Sequence, residues 1–387
     1  MKQLTVIFLV GFTVCSFLQG CKKDAETAES FVRGGTCVVE TSDGHLLVGG
    51  YTYKTSAGYE AILIKNDWTN DQKSIKNYYG ANSTDAFYKT AQLNDTTYVA
   101  VGTTFAGSQS PQMFVVLTKE DLTERSRIVL GAGKIARGMS LAIKNDSIIA
   151  LGTIQTKVNN DRDIYVVKMD KKGGKKWEKT FGVKSIDASA NDEAYDIIAS
   201  KNGGFYITGS MNKQNTPSVF LMKISDNGDS LWTKTYNPGI GYSITYTQDG
   251  QLAIGGSFGN ANEGHMAVLK LSTDGTMIWN KSYEDKNHSF GATLVNQPSG
   301  NLGLCGYIKE NGSDKKNAAL LIFSPQGNIE KVNIYREQAG NSEAYGLTKT
   351  NTGGFSMTGS TTTAEGSFIS LYELNADGAV IRNKIFN

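Results

Sequence analysis

The sequence is poor in the residues that most catalytic and metal sites require. Among 387 residues there are three histidines, four cysteines and five prolines. His45, His265 and His288 fall in different copies of the repeat described below, so neither a two-histidine metal site nor a Ser-His-Asp arrangement emerges. Charge of one sign is missing as well. The 39 basic residues nearly cancel the 37 acidic ones, which leaves no basic field for nucleic acid. Phosphate-binding loops are absent too. Gly131-Ala132-Gly133-Lys134 links two repeats and does not join a strand to a helix. Asp226-Asn227-Gly228-Asp229 and Asn160-Asp161-Arg162-Asp163 lack the alternating ligand spacing of a calcium loop and sit where turns are expected. No metal and no cofactor is expected.

What is abundant is glycine (43), tyrosine (18) and phenylalanine (16), the profile of many short strands joined by tight turns. An apolar strand ending in Gly plus a small or aromatic residue returns at Gly50, Gly102, Gly152, Gly209, Gly256, Gly306 and Gly359. Successive copies lie 47 to 57 residues apart, which marks one supersecondary unit repeated along the chain. The clearest copy spans 242–283. It has four short stretches alternating apolar and polar, with Asp249-Gly250 and Asp274-Gly275 as tight turns between them. Each unit therefore reads as a four-stranded antiparallel meander. Fifty residues is too long for a β-helix coil and too short for a sandwich, but fits one propeller blade. The predicted fold is all-β, a seven-bladed β-propeller of four-stranded antiparallel blades over 31–387, and its activity is not written in the repeat.

The N-terminus reads as an address. Residues 1–20 combine Lys2 with an apolar run from Leu4 to Leu18, a signal peptide too short to span a membrane comfortably. Leu18-Gln19-Gly20-Cys21 resembles the bacterial lipobox, which implies that Cys21 is lipidated and becomes the mature N-terminus. Residues 21–30 then form a polar tether. Its Lys22-Lys23-Asp24 start resembles the charged export tags of bacterial surface lipoproteins, and periplasmic and surface faces both stay open. Cys15 leaves with the leader, so Cys37 and Cys305 remain. They lie in the first and sixth units and are expected to be buried, unpaired thiols.

The repeats are similar to bacterial extracytoplasmic β-propeller lipoproteins, broadly of the quinoprotein-like and Kelch-like superfamilies. The run from Leu269 to Trp279 resembles the tryptophan-docking repeat of quinoproteins, and the Gly-Gly pairs at 49–50 and 255–256 resemble Kelch. Trp177, Trp232 and Trp279 stand four residues past a turn glycine and are expected to serve the blade.

In such a meander the first and third connections share one face of the ring, and the second connections and blade links share the other. The second connections (52–60, 104–112, 155–162, 212–218, 258–264, 309–317 and 361–367) are long and unlike one another, so a binding surface belongs on their face. Residues just before the innermost strands should ring the channel mouth there. Asp85, Arg137, Glu193 and Glu343 are the charged candidates, while Phe87, Tyr195, Tyr242 and Tyr345 beside them are assigned to packing between blades. The resulting expectation is a monomeric, non-enzymatic binding or scaffolding propeller. It would be anchored through lipid in the outer membrane and hold a protein or glycan partner. The alternatives are an outer-membrane assembly accessory factor and a channel-mouth carboxylate enzyme such as a glycan lyase or hydrolase.

Overall fold

Turn chemistry sets the spacing of the strands. At the hairpins Thr41–His45, Thr247–Gln251, Gln297–Asn301 and Thr350–Gly354 the chain reverses through a β-turn. The glycine that closes each turn (Gly44, Gly250, Gly300, Gly353) has φ between 79° and 89°. That left-handed conformation is one glycine adopts freely. In the computed structural model, residues 31–54, 58–68, 75–79, 84–105, 110–155, 162–182, 191–213, 216–259, 264–284, 288–337 and 340–386 are described. The proposed signal peptide, Cys21 and the tether lie outside them. Among the described residues no helix is long and apolar enough to cross a membrane.

The strands fall into antiparallel meanders. β1–β4 cover Phe31–Glu40, Leu46–Lys54, Gly58–Asn66 and Ile75–Tyr79, and β5–β8 cover Ala86–Asn94, Thr97–Thr104, Gln112–Lys119 and Glu124–Leu130. β9–β12 cover Ile135–Lys144, Ser147–Gln155, Arg162–Asp170 and Lys175–Phe181. β13–β15 cover Asp192–Ala199, Phe205–Lys213 and Thr216–Ile224, and the long β16 covers Ser230–Tyr246. β17–β19 cover Leu252–Phe258, His265–Leu271 and Met277–Ser282, and β20–β23 cover Ser289–Asn296, Leu302–Lys309, Lys316–Phe323 and Ile329–Tyr335. β24–β27 cover Ser342–Lys349, Phe355–Thr363, Gly366–Leu374 and Val380–Phe386. The architecture is a β-propeller of four-stranded antiparallel sheets.

Hydrogen bonding does not keep every meander separate. β16 closes one meander against β15 and opens the next against β17, which makes a seven-stranded sheet. A short parallel bridge, Phe31 to Gly366 and Val32 to Ser367, joins β1 to β26 in an eight-stranded sheet. The remaining three sheets have four strands each.

The core lies between sheet faces. One apolar cluster joins β9–β11 to β13–β15 through Leu151, Val166, Phe205 and Phe220. Others bridge each neighbouring pair in turn, and the last returns to the first: Ile369, Leu371 and Phe386 pack with Val38, Val48 and Ile62. At that seam Glu40 accepts a bond from Asn351 N at 2.7 Å, and the Arg382 guanidinium lies over the Trp68 ring. Packed on both sides, the second and third strands are buried along their middles, and every residue of β6 is buried. The alternating pattern expected for half-buried strands holds on outer strands such as β12. The sequence also overstates the second connections. β2–β3, β14–β15 and β25–β26 pair out to Lys54–Gly58, Lys213–Thr216 and Thr363–Gly366.

The tryptophans interlock neighbours. Trp177 Nε1 donates to the Asp226 carbonyl at 3.3 Å and Trp279 Nε1 to Pro325 O at 3.2 Å. A Cβ on the turn glycines Gly228, Gly275 or Gly327 would lie about 3 Å from the rings of Trp177, Trp232 or Trp279. Each ring thus packs against a turn that only glycine leaves open. At the equivalent turn between β7 and β8 the left-handed position is held by Leu122, φ 65° and fully buried. Tyr79 Oη donates to its carbonyl.

Candidate channel site

The recurring glycine has a structural cause. A Cβ built on Gly50, Gly102, Gly152, Gly209, Gly256, Gly306 or Gly359 would collide with a backbone carbonyl of the innermost strand beside it. Opposite each glycine that strand carries a β-bulge. The missing side chain admits the turned carbonyl, and the bulge re-aims the extra residue. Those residues are Thr36, Tyr88, Met139, Tyr195, Tyr242, Ala292 and Tyr345, and all of them line one cavity of about 640 Å³. Its walls run the length of the innermost strands, from Glu343 and Lys316 at the second-connection end to Val39, Ile143 and Val295 at the hairpin end.

The aromatic bulges form an arc at the second-connection end. Tyr195 and Tyr242 meet edge to face at 4.8 Å, Tyr242 and Phe290 lie 4.9 Å apart, and Phe290 faces Tyr345 at 6.4 Å. Burial pushes the Tyr195, Tyr242 and Tyr345 hydroxyls well above their usual pKa, with the Glu193 or Glu343 carboxylate adding to it. They are neutral donors at any physiological pH. Tyr345 Oη donates to Glu343 Oε2 at 2.6 Å, Ser360 reaches the same oxygen at 3.4 Å, and Lys316 pairs with Oε1. Glu193 repeats the arrangement with Tyr195 and Arg162.

One residue further along, Lys89, Ser140, Asp196 and Ser243 form a polar belt on four of the innermost strands. Asp196, 3% exposed, pairs with Lys89 at 3.3 Å across the channel. It also accepts from Ser140 at 2.6 Å, from Ser243 at 3.3 Å and from the Ile244 amide at 3.0 Å. A single carboxylate thus ties four innermost strands together.

Of the four charged candidates, Glu343 lines the cavity. Glu193 and Arg137 occupy the same register position in their own strands, just before the bulge. Asp85 stands one position earlier, and in a strand one step reverses the face. It is fully buried and caps the Phe105 amide at 3.0 Å, so it braces the β5 entry and does not ring the mouth. The aromatics pack between meanders as expected, Phe87 on Tyr79 and Phe114 and Tyr195, Tyr242 and Tyr345 in one cluster with Phe290, and the three tyrosines line the cavity as well. Lys89 and Asp196 were missed, because nothing in the sequence marks where a bulge turns a residue inward.

The remaining motifs behave as turns or packing. Asp226 pairs with Lys144 at 2.6 Å, and Ser225 caps the Asn227 and Asp229 amides. Asp161 lies outside the described residues. Among the described residues no group of three or more His, Cys, Asp or Glu could hold a metal. Cys37 and Cys305 are buried and free, and burial raises the Cys305 thiol to about 12.

A β-propeller family of unknown function, DUF5122, matches residues 247–277. That stretch holds β17, β18 and the Gly250 and Gly275 turns, the parts that recur most faithfully. No curated protein sequence matches the chain. Among solved structures it is similar to Sqt1 from Chaetomium thermophilum, at 11% identity over 77% of this chain and 71% of that one, TM-score 0.44. It is also similar to a eukaryotic initiation factor, at 9% identity over 93% of this chain and 97% of that one, TM-score 0.42.

Proposed function

We propose that the chain is a non-enzymatic binding propeller of the bacterial cell envelope. In this reading residues 1–20 are removed, Cys21 carries lipid that holds the protein at the outer membrane, 21–30 is a tether, and 31–387 closes as a ring of seven blades. The protein acts as a monomer and its partner is a protein or a glycan. The observation that carries the reading is the axial cavity, built from bulged residues of every innermost strand and opening where tyrosines, carboxylates and hydroxyls converge. A concave site with a few convergent polar groups on an apolar frame is the usual form of a binding pocket. The non-enzymatic part rests on Glu193 and Glu343, each already engaged by a cation and a tyrosine hydroxyl.

The test joins localisation to capture. Labelled palmitate should enter the wild-type protein and not Cys21→Ser, and the label should fractionate with outer membranes. Protease treatment of intact cells decides which face the propeller occupies. Crosslinking and affinity capture from the same membranes should recover a partner that a cavity variant, Tyr242→Trp, no longer retains. A soluble unlabelled protein would refute the anchor, and retention unaffected by Tyr242→Trp would refute the cavity as the binding site. Recovery of barrel-assembly components would favour the accessory-factor alternative.

A further inference from the structure

We propose that the tyrosine-lined end of the cavity binds a neutral, hydroxyl-rich ring, a saccharide unit without net charge. The inference rests on the binding reading above and names the ligand class of that site. Charge comes first. The ionisable groups lining the cavity, the tyrosines and the Cys37 thiol aside, are Arg33, Lys89, Lys316, Asp196 and Glu343. Lys89 is matched to Asp196 and Lys316 to Glu343, and Arg33 donates to Thr52 at 3.0 Å. At these two ion pairs an anionic ligand would have to displace a carboxylate from its lysine, and a cationic one would have to displace a lysine from its carboxylate. Either exchange leaves a desolvated charge behind. A neutral ligand disturbs neither pair.

Hydrogen-bonding capacity points the same way. Each carboxylate oxygen has about two lone-pair directions. Glu343 Oε1 is engaged by Lys316, and Oε2 by Tyr345 and, at longer range, Ser360. Thr362 and Ser367, which share one bond at 2.8 Å, line the mouth beside Asn341. This is a mixed set of donors and acceptors, suited to hydroxyls that do both. Tyr195, Tyr242 and Tyr345 line this end and add aromatic surface for the C–H side of a sugar ring, and their buried hydroxyls stay protonated. The cavity volume of about 640 Å³ lies within the range of small-molecule sites, roughly 300–1,000 Å³.

The test uses the full chain in detergent on a printed array of neutral, anionic and amino-bearing oligosaccharides, followed by calorimetry on the bound species. Neutral oligosaccharides should bind, and Glu343→Gln should weaken them by about tenfold or more, since it alters a charged acceptor. Tyr345→Phe, which removes one hydroxyl and keeps the ring, should weaken them by about threefold to tenfold. It supplies the reading if Glu343→Gln does not fold. Preference for anionic or amino-bearing oligosaccharides, binding unaffected by both variants, or no binding at all would overturn the proposal. If capture from membranes still recovers a partner lost with Tyr242→Trp, the binding reading survives and the saccharide inference alone falls.

Discussion

Replacing Gly306 with alanine tests the link between the recurring glycine and the bulge. A Cβ at 306 would sit 2.8 Å from the Phe290 carbonyl carbon, 3.1 Å from Gly291 Cα, and closer still to the Phe290 oxygen. Relief requires β20 and β21 to part at the Phe290–Tyr307 and Gly291–Gly306 pairs. Losing about two ladder hydrogen bonds is worth about 1 kcal/mol each. Overpacking adds about 1–3 kcal/mol. Alanine's smaller backbone entropy returns only about 0.5–1 kcal/mol. The expected net loss is about 2–4 kcal/mol. Gly312 is the control, because its φ is 70° but no atom lies within 4 Å of its Cβ position. Gly312→Ala should lose only the left-handed preference, about 1–2 kcal/mol. The assay is guanidinium unfolding followed by circular dichroism on both variants. Equal midpoint shifts would refute the reasoning, since the collision with the bulge carbonyl would then be immaterial.

Lys223 gives a pH signature. Burial, with Lys144 nearby, lowers its folded pKa to about 8, while the unfolded chain stays near 10.4. The unfolded state therefore holds more protons in that window, so stability should rise with pH between about 8 and 10, and below about 8, where both states are protonated, the contribution is constant. Lys223→Met should flatten that rise in melts recorded at several pH values, and an unchanged slope would exclude the residue as its source. At Leu122, glycine would relieve the left-handed backbone by about 1–2 kcal/mol. It would also remove a fully buried side chain, a loss of about 2–5 kcal/mol in comparable cores. A net loss of about 1–3 kcal/mol is expected in chemical denaturation, and a gain would mean that backbone strain outweighs packing there.

Most of the architecture was legible because it recurs. The turn glycines, the register glycines and the tryptophans each answer a steric demand repeated from sheet to sheet, so their spacing alone reveals the meander. The site was legible only in part. Glu343 falls on the cavity wall where register put it, while Asp85, assigned to the same ring, stands one position out. A bulge adds a residue that no periodic pattern announces, and every residue beyond it changes face. The same slip hid Lys89 and Asp196. Tyr195, Tyr242 and Tyr345 do pack between meanders as expected, but their second place on the cavity wall was missed, on the premise that whatever recurs serves only the frame. Here the frame and the cavity wall are made by one device, the carbonyl turned toward glycine and the side chain turned toward the axis.

β16 has a consequence for how the molecule comes apart. Its seventeen residues hold the outer edge of one meander as far as Pro238 and the inner edge of the next from Gly239, one strand carried through a bulge at Tyr236–Asn237. Elsewhere among the described residues neighbouring meanders meet through packing and side-chain bonds such as those of Asp196 and the tryptophans, with a two-residue bridge added at the β1–β26 seam. Peeling β16 from either partner exposes backbone in both, so β13–β19 should open as one cooperative block. Amide protons across that stretch would then exchange together and last, while the seam between first and last strands yields first.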